Sequence, residues 1–467
     1  MNNKTGAKQT FYYAIGTLSM KAISLLMVPL FTYFLTPEEF GTLEVLLTFI
    51  NLMSIVLCFG LGDALFKFCA SQENSNLQKI VCGNANSLSL LISLLLLVPA
   101  ILLSAKISHL LPANVTTTQV TLVLTALLMG NILGIHYAWL RLNNQALRFI
   151  KLSISRALLQ ALLVLFLLNL GLSVTGVMLA TVLSTLAILL FSSIQHYKTS
   201  GLSLDRSWQK RLVSYGSPLI FSGIASFITL GLDNWWLAYK IGPAAMAPYA
   251  LAMKFSMVTI IIIQPFMMWW LPNRFKYTQT LRQKKSNAEI TTLGVNLGLL
   301  FGIIISSGSI LFINVIINPE YHSAIQYVTP LCLVWSIKNA GDLMNYGCYH
   351  KSTHSVMIIN FVTAFIAVAG YYFFINIFGN WGAVYVLLSA FSIRWLLFLI
   401  VSQYLFKLPY HYKKIVFFLM FILVAMLVII TSKNVYHTFC YALMLVLLGC
   451  SILFLLHKNE IKKFIKE

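Results

Sequence analysis

The chain has 467 residues, of which 59% are hydrophobic and only 9% are charged, and its formal net charge is +20. A soluble domain averages roughly 45–50% apolar and about 25% charged residues, so this composition excludes an ordinary soluble fold. The positive charge is spread over many short segments instead of one basic stripe, which argues against a nucleic-acid partner.

Long apolar stretches along the chain predict membrane-spanning helices. A span needs about 20 mainly apolar residues, because the hydrocarbon layer is about 30 Å thick and a helix rises about 1.5 Å per residue. Fourteen stretches qualify: 11–35, 43–66, 82–104, 119–140, 152–170, 174–193, 214–239, 249–272, 291–316, 324–346, 356–376, 383–405, 415–431 and 435–456. We predict an all-α polytopic membrane protein with about fourteen transmembrane helices, or twelve if the last hairpin does not span.

The basic residues predict how the chain is oriented. Most of the 32 Lys and Arg residues fall in alternate connections, and the opposite side holds only Lys106, Lys240 and Lys433. Since cytoplasmic loops carry the excess of Lys and Arg, both termini are predicted to be cytoplasmic.

The order of the spans predicts two similar halves. A polar connection separates two sets of six helices, and the sequences YFLTP at 33–37 and YKIGP at 239–243 end the first and the seventh helix. We predict a six-helix lobe at 1–195, a cytoplasmic linker at 196–212, a second six-helix lobe at 213–406, and a two-helix hairpin with a basic tail at 407–467. Repeated halves are common in secondary transporters, whose substrate sites lie near the membrane midplane between the repeats.

A few charges fall within predicted spans, where a charge is costly and is a candidate for function. The candidates are Lys21, Asp233, Lys254, Lys338, Asp342 and Arg394, while Glu44, Asp63 and Lys67 lie near the ends of the second span. Lys338 and Asp342 are four residues apart and can neutralise each other on one helix face. Lys21 and Arg394 have no opposite charge one turn away, so we expect them to face a cavity, with snorkelling or a partner on another helix as the alternative.

Cations that line a cavity would suit an anionic substrate, and a pyrophosphate is the obvious candidate. Lys21, Lys254 and Arg394 are therefore the predicted substrate-binding residues, and Asp233 could instead pair with Lys254. Trp335 and Trp395 lie at mid-span depth and could stack on a sugar, although ordinary packing is the simpler interpretation. No nucleotide-binding or hydrolase motif occurs, so no catalytic residue, metal or cofactor is predicted.

Three arginines on the predicted cytoplasmic side have two interpretations. Arg141, Arg148 and Arg156 either recruit the anionic substrate or only set the membrane topology.

Two stretches carry a family resemblance. They are SMKAISLLMVPLFTYFLTPEEFG at 19–41, and YGSP at 215–218 leading to Asp233 and to YALAMK at 249–254. They resemble the Wzx-type oligosaccharide flippases of the multidrug/oligosaccharidyl-lipid/polysaccharide exporter (MOP) superfamily. Family members often have Asp-Arg in the seventh helix and G-x-Y-x-x-A-x-K at the start of the eighth, whereas this chain has Asn234 and Ala247 at the Arg and Gly positions.

The resemblance implies two six-helix lobes in a bacterial inner membrane. It also implies the export of a polyprenyl-pyrophosphate-linked glycan for surface polysaccharides such as the O-antigen of lipopolysaccharide, with membrane lipids and polymerase machinery as partners. A cation-coupled multidrug or small-solute exporter of the same superfamily is the transport alternative. A membrane glycan polymerase or ligase is the enzyme alternative, which the short external loops disfavour.

Overall fold

The computed structural model describes residues 3–70, 74–351, 353–431 and 435–466, and these residues contain helices and connections but no strand. Lys433, one of the predicted external lysines, lies outside the described residues. By internal contacts the chain divides into two units, Met1–Ala245 and Met246–Glu467. The lobe boundaries predicted from helix order remain a prediction.

The first unit is built from nine helices in the described part of the chain. They are α1 (Asn3–Phe34), α2 (Pro37–Leu57), α3 (Leu61–Ala70), α4 (Ser75–Leu110), α5 (Thr117–Leu142), α6 (Ala146–Asn169), α7 (Ser173–Thr199), α8 (Arg206–Leu230) and α9 (Leu232–Ile241). Helix α5 lies at the centre and packs against α2, α3, α4, α6 and α7, while α8 and α9 pack along α2.

A tenth helix begins at the end of the first unit and continues into the second. The remaining helices are α10 (Pro243–Ser256), α11 (Val258–Asn273), α12 (Leu281–Ile316), α13 (Ile325–Met344), α14 (Tyr346–Lys351), α15 (Thr353–Phe378), α16 (Asn380–Leu405), α17 (Tyr412–Thr431) and α18 (Val435–Lys466). Short 3-10 turns lie at Arg274–Lys276 and Pro319–Ala324. Helix α12 packs against α11, α13, α17 and α18, and α13 also packs against α16.

The prediction of an all-α polytopic membrane protein is confirmed. Each of the fourteen predicted spans coincides with a helix or a broken helix, and twelve helices of the described chain are long and apolar enough to cross a bilayer. The apolar part of α1, Ser19–Phe34, is shorter, and α13 carries Lys338 and Asp342.

The burial pattern of α4 is that of a helix in lipid. Its buried face is small and polar and includes Ser89 and Ser93, whereas Leu95 and Leu102 on the opposite face are 72% and 73% exposed. The Ser93 hydroxyl donates to the Leu128 carbonyl of α5 at 2.9 Å. Small residues let helices approach closely in membranes, and Leu-rich faces contact lipid tails.

Three predicted spans are broken, which the apolar pattern did not indicate. The second is interrupted between α2 and α3, where Phe59 and Gly60 adopt positive φ values of 48° and 58°. The seventh is interrupted at Gly231 and the eighth at Met257. A Cβ on Gly216 of α8 would overlap the Phe59 carbonyl, so the first break lies directly against α8.

The two predicted repeat turns lie against each other. Thr36 caps α2 with its side chain, Glu39 completes the capping box, and Pro37 is the first helical residue. Pro243 is likewise the first residue of its helix, α10, and a Cβ on Gly41 of α2 would overlap the Pro243 carbonyl. Glycine at position 41 therefore allows the starts of α2 and α10 to touch.

Candidate functional site

The second unit contains a cluster of charged side chains that joins three of its helices. On α13 the Lys338 ammonium lies 2.9 Å from Asp342 Oδ2. From α16, Arg394 Nη2 lies 2.8 Å from Asp342 Oδ1, and Arg394 Nε donates to Asn360 Oδ1 of α15 at 3.1 Å. We call Lys338, Asp342, Asn360 and Arg394 the charge cluster.

The charge cluster is mostly shielded and carries an excess of positive charge. The side chains of Arg394, Lys338 and Asp342 are 12%, 21% and 24% exposed. Two cations share one carboxylate, so their formal sum is one positive charge. Arg394 Nη1 has no hydrogen-bond partner among the described residues, and its guanidinium lies 4.6 Å from the ring centre of Phe398. An anion entering the cluster could therefore gain a donor that the protein leaves unused.

The contacts decide between two expectations for these residues. Lys338 and Asp342 do pair across one helical turn, as their spacing predicted. Arg394, which has no local opposite charge, is paired with Asp342 of another helix, which was the alternative to an unpaired cavity-facing cation. Whether Arg394 binds substrate remains a prediction.

Both mid-span tryptophans pack at helix contacts in the second unit. Trp335 is 4% exposed and its indole N–H donates to Ser256 Oγ of α10 at 3.1 Å. Trp395 is half-buried and its N–H points at Met344 Sδ at 3.4 Å. A Cβ on Gly341 would lie 3.4 Å from the Trp395 backbone, so α13 and α16 approach closely beside the charge cluster. Packing accounts for Trp335, while Trp395 adjoins the cluster.

The remaining intramembrane charges lie elsewhere. Lys21 is half-buried on α1 and Asp233 is 2% exposed on α9, both in the first unit. Lys254 is half-buried in the last turn of α10, in the second unit. All three take part in further interactions of their own.

The departure from the Asp-Arg pattern has a structural role. Asn234, at the position where the family often has Arg, donates from its side-chain amide to Thr48 Oγ1 of α2 at 3.2 Å. The next residue, Trp235, donates to the Val45 carbonyl at 3.1 Å. These two side chains fasten α9 to α2 without a cation.

The three cytoplasmic-side arginines have different surroundings. Arg141 lies over the rings of Phe66 and Phe149, with centroid distances of 5.0 and 5.6 Å. Arg148 Nη1 donates to Gln145 Oε1 at 3.0 Å. Arg156 is half-buried near Tyr137.

Sequence reasoning missed Arg274, which was counted only as a topology charge. It is 3% exposed and donates to the Leu343 carbonyl at 3.0 Å and to Asn345 Oδ1 at 2.9 Å, and Asn287 of α12 donates to its carbonyl at 2.8 Å. Its guanidinium thus joins the end of α11 to the junction of α13 and α14. The sequence held no signal for this, because the partners are backbone and amide groups far along the chain.

A second missed feature is a histidine pair in the first unit. His136 of α5 and His196 of α7 stack with ring centres 4.0 Å apart and planes 23° apart, and both are nearly fully buried. His136 falls inside a predicted span, so its position within an apolar stretch was a usable signal.

Comparisons with solved structures show which fold the protein has. Over 95% of this chain and 98% of the other, the fold matches the lipid II flippase MurJ in an inward closed conformation, with a TM-score of 0.73 and 13% identity. An inward-facing multidrug-resistance MATE transporter of the MOP superfamily matches over 83% and 94%, with a TM-score of 0.65 and 14% identity. A MOP superfamily transporter from Pyrococcus furiosus matches over 85% and 95%, with a TM-score of 0.52 and 14% identity. The protein has the fold of the MOP transporters.

The family follows from the sequence. The model of the family described as "Polysaccharide biosynthesis protein" matches residues 7–278, more than half of the chain. The chain therefore belongs to the polysaccharide biosynthesis protein family, which agrees with the resemblance seen in its motifs. No curated protein sequence matches it significantly.

Proposed function

We propose that this protein flips a polyprenyl-pyrophosphate-linked oligosaccharide from the cytoplasmic to the outer leaflet of a bacterial inner membrane, for surface polysaccharide biosynthesis such as that of O-antigen. Its family, with the MOP fold, supports a transporter in a polysaccharide pathway. The name of one structural neighbour, a lipid II flippase, supports a lipid-linked glycan as the cargo class. Both termini would then lie in the cytoplasm, as the loop charges predict.

The observation that carries the proposal is the excess of positive charge in the charge cluster. Arg394 Nη1 has no partner in the described structure, and Lys338 and Arg394 are balanced by Asp342 alone. A pyrophosphate offers several anionic oxygens to these donors, and a shielded setting strengthens each contact. Lys21 and Lys254 are further proposed contacts for the same head group.

In the proposed mechanism the lobe at 1–195 and the lobe at 213–406 rock in alternating access. The head group and glycan enter from the cytoplasmic side while the lipid tail stays in the hydrocarbon layer of the bilayer, because its apolar surface is unfavourable in water. The hairpin and tail at 407–467 follow the second lobe. A polysaccharide polymerase acting on the outer leaflet would consume the product.

The two rival functions fit the described residues less well. A cation-coupled exporter needs an intramembrane carboxylate that can take up its ion. Both oxygens of Asp342 already accept from cations, which leaves Asp233 of α9 as the candidate, and Asp233 takes part in interactions of its own. A polymerase or ligase needs an outer catalytic region. The described connections on the predicted outer side are short, the longest being that at 317–324.

The test is flipping in liposomes that contain the purified protein. A fluorescent polyprenyl-pyrophosphate glycan is loaded, and its exposure on the opposite leaflet is measured by a membrane-impermeant glycosidase. We expect Arg394→Ala to slow flipping at least tenfold and Arg394→Lys to keep part of the rate. Lys407→Ala, which removes an exposed positive charge just after α16, is the matched control. Full activity of Arg394→Ala would remove the charge cluster from the mechanism, and cleavage or extension of the glycan by the protein would favour the enzyme alternative.

A further inference from the structure

The first unit holds a polar cavity that the proposed function does not use. It has a volume of about 200 Å³ and lies where the starts of α4 and α6 meet the ends of α5 and α7. Its polar lining comes from the ends of all four helices and includes Lys79, His136, Gln145, Arg148, Ser192 and Gln195. The charge distribution of the loops predicts that these four helix ends face the cytoplasm.

The charges at the cavity are all of one sign. Lys79 and Arg148 line it with exposed side chains, and no Asp or Glu is among the described lining residues. Gln145 Oε1 accepts from Arg148 Nη1 at 3.0 Å and so holds the guanidinium at the edge of the cavity. The planar, forked guanidinium matches the oxygens of a phosphate, and the ammonium adds a second positive charge.

The inner wall of the cavity offers an unused polar atom. His136 is 1% exposed, its Nδ1 lies 2.8 Å from Ser192 Oγ, and its Nε2 has no hydrogen-bond partner among the described residues. Stacking on His196 fixes the plane of the ring. Because buried polar atoms are nearly always paired in folded proteins, this nitrogen, on a residue that lines the cavity, is a candidate partner for a ligand there.

The Ser192 hydroxyl determines what His136 can offer. Ser192 Oγ lies 3.1 Å from the Leu189 carbonyl as well as 2.8 Å from His136 Nδ1, so its one proton can go to either group. When Ser192 donates to Nδ1, the neutral imidazole carries its proton on Nε2 and becomes a donor to the cavity. A bound anion would favour that arrangement. Reaching it from the other one takes two changes: the imidazole proton moves from Nδ1 to Nε2 by exchange with water, and the Ser192 hydroxyl turns from the Leu189 carbonyl towards Nδ1.

We propose that this cavity binds a phosphate group, with Lys79 and Arg148 at its edge and His136 donating from its inner wall. At about 30 Å³ for each water, the cavity has space for roughly six or seven waters, which is enough for a phosphate group. The phosphate comes either from a lipid head group of the adjacent leaflet or from a soluble phosphate compound. No residue of the charge cluster takes part, and only Arg148 is shared with the predicted recruitment of the anionic substrate, so phosphate binding can be tested apart from flipping.

Two binding measurements on the full-length protein test the proposal and separate the two sources. In nanodiscs of neutral phosphatidylcholine, inorganic phosphate and glycerol 3-phosphate are titrated by calorimetry. In nanodiscs that also contain phosphatidylglycerol, lipid retained by the protein is counted by native mass spectrometry. Saturable binding in the first arm assigns a soluble phosphate, and retention in the second arm assigns a lipid head group.

Single-residue variants test whether the phosphate binds in this cavity. We expect Arg148→Ala and Lys79→Ala each to weaken binding about tenfold, and the double variant to abolish it. His136→Gln, which keeps an amide donor, should bind better than His136→Ala. Lys151→Ala removes an exposed charge one turn along α6, outside the cavity, and should bind as the wild type does. Absence of binding in both arms, or equal loss with Lys151→Ala and Arg148→Ala, would overturn the proposal.

Discussion

Replacing Asp342 by Asn tests whether the charge cluster stabilises the second unit. At 2.8–2.9 Å and an effective dielectric constant of about 20, each ion pair of Asp342 has an attraction of about 6 kcal/mol before the cost of desolvation. Removing one partner of a fully buried pair costs about 3–5 kcal/mol, whereas exposed pairs contribute about 0–1 kcal/mol. Since the three side chains are 12–24% exposed, we expect a loss of about 3 kcal/mol.

A second variant separates stability from function. Lys338→Met, Asp342→Leu and Arg394→Met together remove every charge, and well-packed apolar replacements of buried ion pairs are often neutral or stabilising. The free energy of unfolding in mixed micelles with increasing SDS should therefore return to within about 1 kcal/mol of the wild type. Flipping in liposomes should be lost. A stable Asp342→Asn variant would refute the energetic argument, and a triple variant that flips normally would refute the role in substrate binding.

Three further pairs of substitutions test contacts between helices and a helix cap. Gly41→Ala places a methyl group against the Pro243 carbonyl and should lower the unfolding free energy by about 1–3 kcal/mol. Its control, Gly62→Ala, meets no atom within 4 Å and should be neutral or slightly stabilising. Opposite or equal effects of the two variants in SDS unfolding would contradict the close approach of Gly41 to Pro243. Arg274→Ala leaves two buried acceptors without a donor and should lower the unfolding free energy by about 2–4 kcal/mol, and Arg274→Lys should recover part of this loss. If Arg274→Ala had the thermal stability of the wild type in detergent, these contacts would not stabilise the fold. Thr36→Ala should cost about 1 kcal/mol and Thr36→Ser almost nothing, because the hydroxyl caps α2, and equal thermal stability of the two variants would show that the cap is not needed.

The sequence predicted the helices because lipid imposes a simple requirement on them. Every backbone polar group in a membrane must be paired within its segment, so an apolar stretch of sufficient length has few alternatives to a helix. Helix α13 was predicted from its length although it carries Lys338 and Asp342, and their spacing also predicted their pairing. Both are local properties, which a sequence contains directly.

The features that sequence reasoning missed or left open depend on distant partners. Arg394 and Asp342 are 52 residues apart, and no local pattern indicates that α16 brings one to the other. The break at Gly60 depends on its close approach to Gly216, which is also distant in sequence. Hydrophobic patterns indicate which segments are buried in lipid but not which helix faces meet, so the charge cluster could be predicted only as separate residues.

The same carboxylate leads to an expectation about the transport cycle. Asp342 lowers the free-energy cost of placing Lys338 and Arg394 inside the membrane when no substrate is present, because it accepts hydrogen bonds from both. A pyrophosphate would compete with it for those donors, and losing the Arg394 contact would loosen α16 from α13. We therefore expect Asp342→Asn to bind a short-chain isoprenoid pyrophosphate more tightly than the wild type in calorimetry. We also expect this variant to flip the glycan lipid more slowly, because without the carboxylate the pair with Arg394 cannot re-form as the substrate is released. Weaker binding by this variant would mean that Asp342 orients the two cations for the substrate instead of competing with it.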